Sequence, residues 1–316
     1  MQDSSLSAKP SARLLVAWLA LLLPPLLWAG NFIVGRAVRD DVTPMTLSLG
    51  RWTIALACLL PFAFSAMRRE WRRHWDHRWL VLGTSITGVA AYNSLLYFGL
   101  RTTMASNALL LNALAPLLIV LLGAAVYGQR LSFRQSVGVG LSFIGVLTLV
   151  LQGHWSQWRS INFVAGDATV LVAAVCWAVY TLWLRQFPAD LDRVGLMGTQ
   201  ILVALVVLGP ATLVEYHFGA EPRLGPSSLA AIAYVGVFAS GIAYLFYMRA
   251  VQWFGPAQAG FCIHLAPVFG VVLSSLFLHE HLYAYHAAGI ATIAAGLLFS
   301  SRGDGRQEVS LPLKIH

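Results

Sequence analysis

Charge is what this sequence has least of. Only 11% of its 316 residues are Asp, Glu, Lys or Arg, where a soluble domain carries about a quarter. Lysine is almost missing: Lys9 and Lys314 are the whole supply, both near the ends. A phosphate-cradling Walker A loop needs a lysine after its glycines, so an ATP-driven engine is excluded. Cysteine is scarce as well. Cys58, Cys176 and Cys262 all fall in apolar runs without C-x-x-C spacing, which reads as packing thiols rather than a metal or redox site. No Asp or Glu falls in the middle of an apolar run; Asp167, Glu215 and Glu280 are all near ends. That argues against exchange of a proton for a cationic substrate at a buried carboxylate.

What is there is apolar. Hydrophobic residues make up 58% of the chain and mean hydropathy is +0.70, so the chain reads as an integral membrane protein. At about 20 apolar residues per crossing, the sequence predicts ten spans: 14–38, 43–67, 79–100, 105–127, 134–153, 167–185, 194–214, 227–248, 256–278 and 284–301. The net charge of +8 belongs with the membrane rather than with nucleic acid. With the N-terminus placed in the cytoplasm, fifteen Lys and Arg fall inside and five outside, Arg51 remaining within a span. The positive-inside rule then puts both termini in the cytoplasm. Trp71, Trp75 and Trp79 beside the Arg68–Arg73 cluster fit an interfacial belt. Residues 1–13 and 302–316 are read as cytoplasmic tails.

The chain is also duplicated. At a shift of 151 positions Leu114-Ala115-Pro116 returns as Leu265-Ala266-Pro267, and Gly138 and Gly145 return as Gly289 and Gly296. At a shift of 149, Trp28-Ala29 and Arg36 return as Trp177-Ala178 and Arg185. Residues 14–153 and 167–301 are therefore read as two five-span repeats joined by a periplasmic linker, 154–166. An odd number of spans makes the second repeat enter from the opposite side, the inverted-repeat plan of secondary transporters. The expected fold is an all-α integral membrane protein, ten transmembrane helices forming two inverted five-helix repeats around a central cavity.

These marks, with Trp28-Ala29-Gly30-Asn31-Phe32, Arg51 and Glu280, resemble the EamA family of the drug/metabolite transporter superfamily over about residues 14–301. The resemblance implies export of small metabolites through a cavity lined by spans 1, 3, 4, 6, 8 and 9. One departure is Gln129, where the family often carries Glu; Glu280 holds the equivalent second-half place.

Residues at depth supply the candidates. Hydrocarbon penalises polar groups, so Asn31, Asn93, Asn112 and His264 are expected at a substrate site; their bland alternative is interhelical hydrogen bonding. Trp28, Tyr92, Tyr97, Trp177, Tyr180 and Tyr244 are expected to line the cavity, against a competing reading as core packing. Pro116 and Pro267 are read as mid-span hinges that free the carbonyls of Asn112 and Ile263. Arg51 is read first as a structural charge snorkelling to Asp40 or Asp41, and second as an anion ligand. Glu280 is assigned a structural charge too. Gly138, Ser142 and Gly145, and likewise Ala288, Thr292 and Gly296, form small-residue faces that hold helices together or make a dimer.

Competing classes are thinner. Ala239-Ser240-Gly241 lacks the first glycine of an intramembrane serine protease motif, because Phe238 stands there. His279, Glu280, His281 and His286 do not form H-E-x-x-H, so no metal and no cofactor is expected. A sugar-phosphate or nucleotide-sugar carrier would need several basic residues in its cavity, and Arg51 is alone. The reading is a non-enzymatic carrier of the bacterial inner membrane, moving amino acids or amphiphilic metabolites outward. Passage of neutral or zwitterionic solutes down their gradient is the simpler expectation, and proton coupling through His264, whose imidazole can titrate near neutral pH, is the alternative. Its expected partners are the lipid bilayer and a small-molecule substrate, and a monomer is expected ahead of a homodimer.

Overall fold

The computed structural model describes residues 10–103, 108, 111–112, 114–128, 132–151, 153–156, 164–219, 221–278 and 283–301. Among them there is helix and no strand. In hydrocarbon every backbone N–H and C=O must find its partner within the chain, and a helix does this segment by segment.

The helices are α1 (Pro10–Ala37), α2 (Pro44–Arg69), the short α3 (Trp71–Asp76) and α4 (Arg78–Thr102). They continue with α5 (Ala115–Tyr127), α6 (Phe133–Val150), α7 (Ala165–Leu184) and α8 (Arg193–His217). Last come α9 (Pro226–Phe254), α10 (Pro256–Phe261), α11 (Leu265–Leu278) and α12 (Ala284–Ser301). Ends follow local chemistry. Thr43 caps α2 ahead of Pro44, Ser132 and Gln135 close a capping box on α6, and Asp192 accepts from the amides of Val194 and Gly195 to start α8. Each cap satisfies amides that have no partner inside the helix. Gly255, at φ +86°, makes the turn from α9 into α10, a conformation that glycine adopts without a Cβ penalty.

Six helical segments, in α1, α2, α4, α7, α8 and α9, are long and apolar enough to cross a membrane. The distribution of side chains agrees. Phe62 and Val206 are 73% and 74% exposed while Arg51 and Asn93 are 0% and 1% exposed. That is the reverse of a soluble protein and the pattern of one solvated by lipid.

Two predicted spans differ from what forms. The span expected over 256–278 is broken into α10, a 3-10 turn at Cys262–His264, and α11. Within 105–127 the described continuous helix begins only at Ala115, after a turn at Leu114. Proline explains both. Pro116 occupies the first turn of α5 and Pro267 is the third residue of α11, where a missing N–H costs no internal bond. The two prolines therefore start helices rather than bend them at mid-length.

A second irregularity is shared by α4 and α9. Each contains a π-helical stretch, Ser85–Ala91 and Val235–Ile242, beginning 150 positions apart. Packing repeats in the same way. The α1 helix packs on α9 and α11, as α7 packs on α4 and α5; α2 meets the π stretch of α9, as α8 meets that of α4. The α2 and α8 helices pack together, and so do α6 and α12. The last pair is held by the small-residue faces. A Cβ on Gly145 would come within 2.7 Å of the Gly289 carbonyl, and one on Gly296 within 2.5 Å of the Gly138 carbonyl. These faces are used inside the chain, so they are not a free surface for a dimer.

Candidate functional site

Four helices converge on Arg51. It lies about 10 Å into α2, seven residues past Pro44 at 1.5 Å per residue, and is fully buried. Its Nε donates to Ser240 Oγ at 2.7 Å from the π stretch of α9. Its Nη1 reaches Asn93 Oδ1 at 2.7 Å and the Tyr97 hydroxyl at 2.5 Å, both on α4, and Asn31 Oδ1 at 3.3 Å on α1. The Tyr97 hydroxyl in turn donates to Asn31 Oδ1 at 2.7 Å. Three of the polar residues predicted for the site thus surround a residue predicted to be structural.

The expected partners of Arg51 are elsewhere. Asp40 pairs with Arg39 at 3.4 Å, and the Asp41 carbonyl accepts from the amide of Arg223 at 2.7 Å. Snorkelling to the helix end is overturned because Asn31, Asn93, Tyr97 and Ser240 offer acceptors at depth. Every one of them is neutral, and no carboxylate pairs with Arg51 among the described residues.

An aromatic cluster adjoins this network. Asn93 Nδ2 donates to the Tyr244 hydroxyl at 2.8 Å, and that hydroxyl donates to the Gly88 carbonyl at 3.0 Å. Around Tyr244 stand Trp28, Trp52 and Trp177, with ring centroids 5.8, 4.9 and 5.4 Å away. The duplicated pair Trp28 and Trp177 meets edge to face at 5.0 Å. Tyr92 and Tyr180 pack on Trp177 at 4.8 and 5.2 Å. Asn112 joins through its Oδ1, which accepts from the Tyr92 hydroxyl at 3.0 Å. Edge-to-face contacts of this kind set ring positions beyond what area burial requires.

The π stretches explain why polar side chains find backbone here. A π turn widens the helix and leaves carbonyls available to other donors. Trp28 Nε1 donates to the Ala239 carbonyl at 2.9 Å, Ser240 Oγ to the Val235 carbonyl at 2.6 Å, and Tyr244 to Gly88. Small residues permit the approach: a Cβ on Gly88 would enter the Tyr180 ring.

His264 lies in the 3-10 turn between α10 and α11. It is 1% exposed and lines an apolar cavity of about 250 Å³ with Leu117, Val120, Leu121, Val139 and Phe143, between α5 and α6. Glu280 lies outside the described residues, as do His279 and His281. Sequence reasoning missed Ser240, Trp52 and Tyr247, the last packed on Trp177 with ring planes tilted by 41° and centroids 4.9 Å apart. The repeat at a shift of 149 does not single them out; it relates Arg51 to Gln200, also fully buried but hydrogen-bonded to Thr84.

Known proteins place this architecture. A family model described as the EamA-like transporter family matches residues 15–151 and again 164–302. Among curated relatives, the uncharacterized transporter YyaM of Bacillus subtilis is 25% identical over 86% of this chain and 88% of its own length. An uncharacterized transporter of Archaeoglobus fulgidus is 27% identical over 90% of this chain and 97% of its own. A protein of Streptantibioticus cattleyicolor named "Probable terminal-alkyne amino-acid exporter" is 27% identical over 93% and 96%. A crystal structure at 21% identity superposes with a TM-score of 0.69 over 91% of this chain and 96% of that one. At that identity the likeness speaks to the fold.

Proposed function

Because the chain belongs to the EamA-like transporter family, we propose that it is a secondary exporter of small organic metabolites. Two inverted five-helix repeats would rock against each other, opening the aromatic cluster first to one side of the membrane and then to the other. The observation that carries this reading is the meeting of duplicated parts at the centre. Trp28 and Trp177, 149 positions apart, are in ring contact, and the helix pairs around them recur from one half to the other. The family model's double match, 15–151 and 164–302, supports the same division of the chain.

A pseudo-two-fold arrangement supplies two packings of similar energy, which is what alternating access requires. The tight ring contacts describe a closed cluster, with the solute admitted when the halves part. Amino acids or other amphiphilic solutes suit it, since aromatic walls with a few polar groups favour partly apolar ligands. The name of the Streptantibioticus relative points the same way and favours the outward direction. The bacterial inner membrane with both termini cytoplasmic is the placement that the Lys and Arg distribution supports.

The test is counterflow in proteoliposomes loaded with a panel of amino acids, amines and organic acids. We expect exchange of at least one class, lowered about tenfold or more by Trp28→Ala, since the walls of a pocket carry much of its affinity. Exchange no faster than in protein-free vesicles for every solute would sink the reading.

A further inference from the structure

Arg51 has five N–H donors in a fixed planar fork. Four neutral oxygens, on Ser240, Asn93, Tyr97 and Asn31, engage Nε and Nη1. The remaining nitrogen, Nη2, is buried without a hydrogen-bond partner. The guanidinium carbon also lies over the rings of Trp52 and Tyr97, 5.3 and 5.7 Å from their centroids, yet a buried cation with no counter-charge is expensive, and an orphaned donor on it adds to the cost. No ion pair among the described residues includes Arg51. The buried acids are far from its hydrogen bonds: Asp167 accepts from Thr103 and from the Val164 amide, and Glu70 accepts from Arg73 and the Asp192 amide.

The missing partner has a definite chemistry. A guanidinium edge matches the two oxygens of a carboxylate. We propose that Arg51 is the specificity-determining residue for a carboxylate on the transported solute, with Nη2 the donor that the solute completes. This rests on the transporter reading given above. The solute's apolar remainder then meets the aromatic cluster, because Asn93 ties Arg51 to Tyr244 and Trp52 lies against Tyr244. Amines and amides of the same size are disfavoured. An amine brings a second cation beside Arg51, and an amide leaves its charge uncompensated. The duplication sharpens the point: the other half carries neutral Gln200 at the matching position, so the preference for an anion comes from one half alone.

The full-length protein in lipid nanodiscs is titrated with matched sets of ligands, read by quenching of tryptophan fluorescence. Each set shares one aromatic or aliphatic group and carries an α-amino acid, the simple carboxylate, the amide or the amine. We expect both carboxylate forms to bind at least about tenfold tighter than the amide and amine, the scale of a charge-assisted hydrogen bond. Arg51→Lys should keep the preference in weaker form, and Arg51→Gln should remove it. If Arg51→Gln does not fold, wild type and Arg51→Lys still decide. Equal binding across a set, no saturable binding by any carboxylate, or a preference unchanged in Arg51→Gln would each overturn the assignment. Carboxylate-selective binding without counterflow would sink transport and leave Arg51's role standing. Counterflow of amines and amides in preference to acids would do the opposite.

Discussion

Tyr97 shows how much one hydroxyl does at this depth. It lies within hydrogen-bond distance of Arg51 Nη1 at 2.5 Å and donates to Asn31 Oδ1 at 2.7 Å, so one oxygen ties α1, α2 and α4 together. Tyr97→Phe keeps the ring and strips that link. Removing a partner from a buried charged donor costs about 1–3 kcal/mol, and thermal melting of the solubilised protein should fall accordingly; an unchanged melting temperature would mean that the network relaxes without it. Trp28 is a milder case. Its Nε1 reaches the Ala239 carbonyl while the ring packs on three aromatic neighbours. Trp28→Phe should therefore cost about 1 kcal/mol, the net worth of a typical hydrogen bond, with far less effect on counterflow than Trp28→Ala. Each candidate residue was legible in the sequence as a polar or aromatic group in an apolar run. Its partner was not, because composition at a position says nothing about which helix faces it.

At the scale of elements, the glycine faces and the proline breaks behave differently. The α6 and α12 helices approach so closely that a side chain at Gly145 has no room against Gly289 and Ile293. Gly145→Leu should lower the melting temperature strongly, by the mechanism of overpacking that costs about 1–3 kcal/mol or more, without altering oligomeric state; a shift from one mass to another on light scattering would place the face at a subunit boundary instead. Turns at Leu114 and at Cys262–His264 precede the helices that carry Pro116 and Pro267. Pro267→Ala restores an amide in the first turn of α11, where the helix needs none. It should leave expression and melting nearly unchanged and slow counterflow, whereas wild-type kinetics would count against a hinge there. The repeated L-A-P made the two positions visible. That they begin helices depends on the turns before them, Leu114 and Cys262–His264, which no periodicity marks.

For the molecule as a whole, one edge carries a polar clasp. Arg73 joins Glu70 and Asp190, Arg69 joins Asp192, and Thr199 meets His74 Nδ1. The Asp190 carboxyl is held below its ordinary range by the Arg73 hydrogen bond. His74 is pushed below its ordinary 6.5, first by desolvation and then by opposing charges, Glu70 and Asp192 raising it and Arg73 and His77 lowering it. The sign follows directly. Below pH 6.5 the unfolded chain takes up a proton that the folded chain resists, so stability should fall as pH drops from 7 towards 5. His74→Gln should flatten that slope in melting curves; an identical slope would assign it to other groups.

Sequence alone determined the class. Bilayer thickness turns apolar length into spans, the scarcity of charge excludes a soluble domain, and a duplicated chain keeps its spacing whatever it packs against. Tertiary structure alone decided which groups Arg51 meets. From the sequence two fates were open, a short reach to Asp40 and Asp41 or a role at depth, and helical periodicity fixes only the face on which a residue lies. The choice came from four helices converging, with α1, α4 and the π stretch of α9 presenting neutral oxygens to one nitrogen pair and leaving the third nitrogen without a partner. Such contacts join residues up to 189 positions apart, and only the packed chain brings them within hydrogen-bond range.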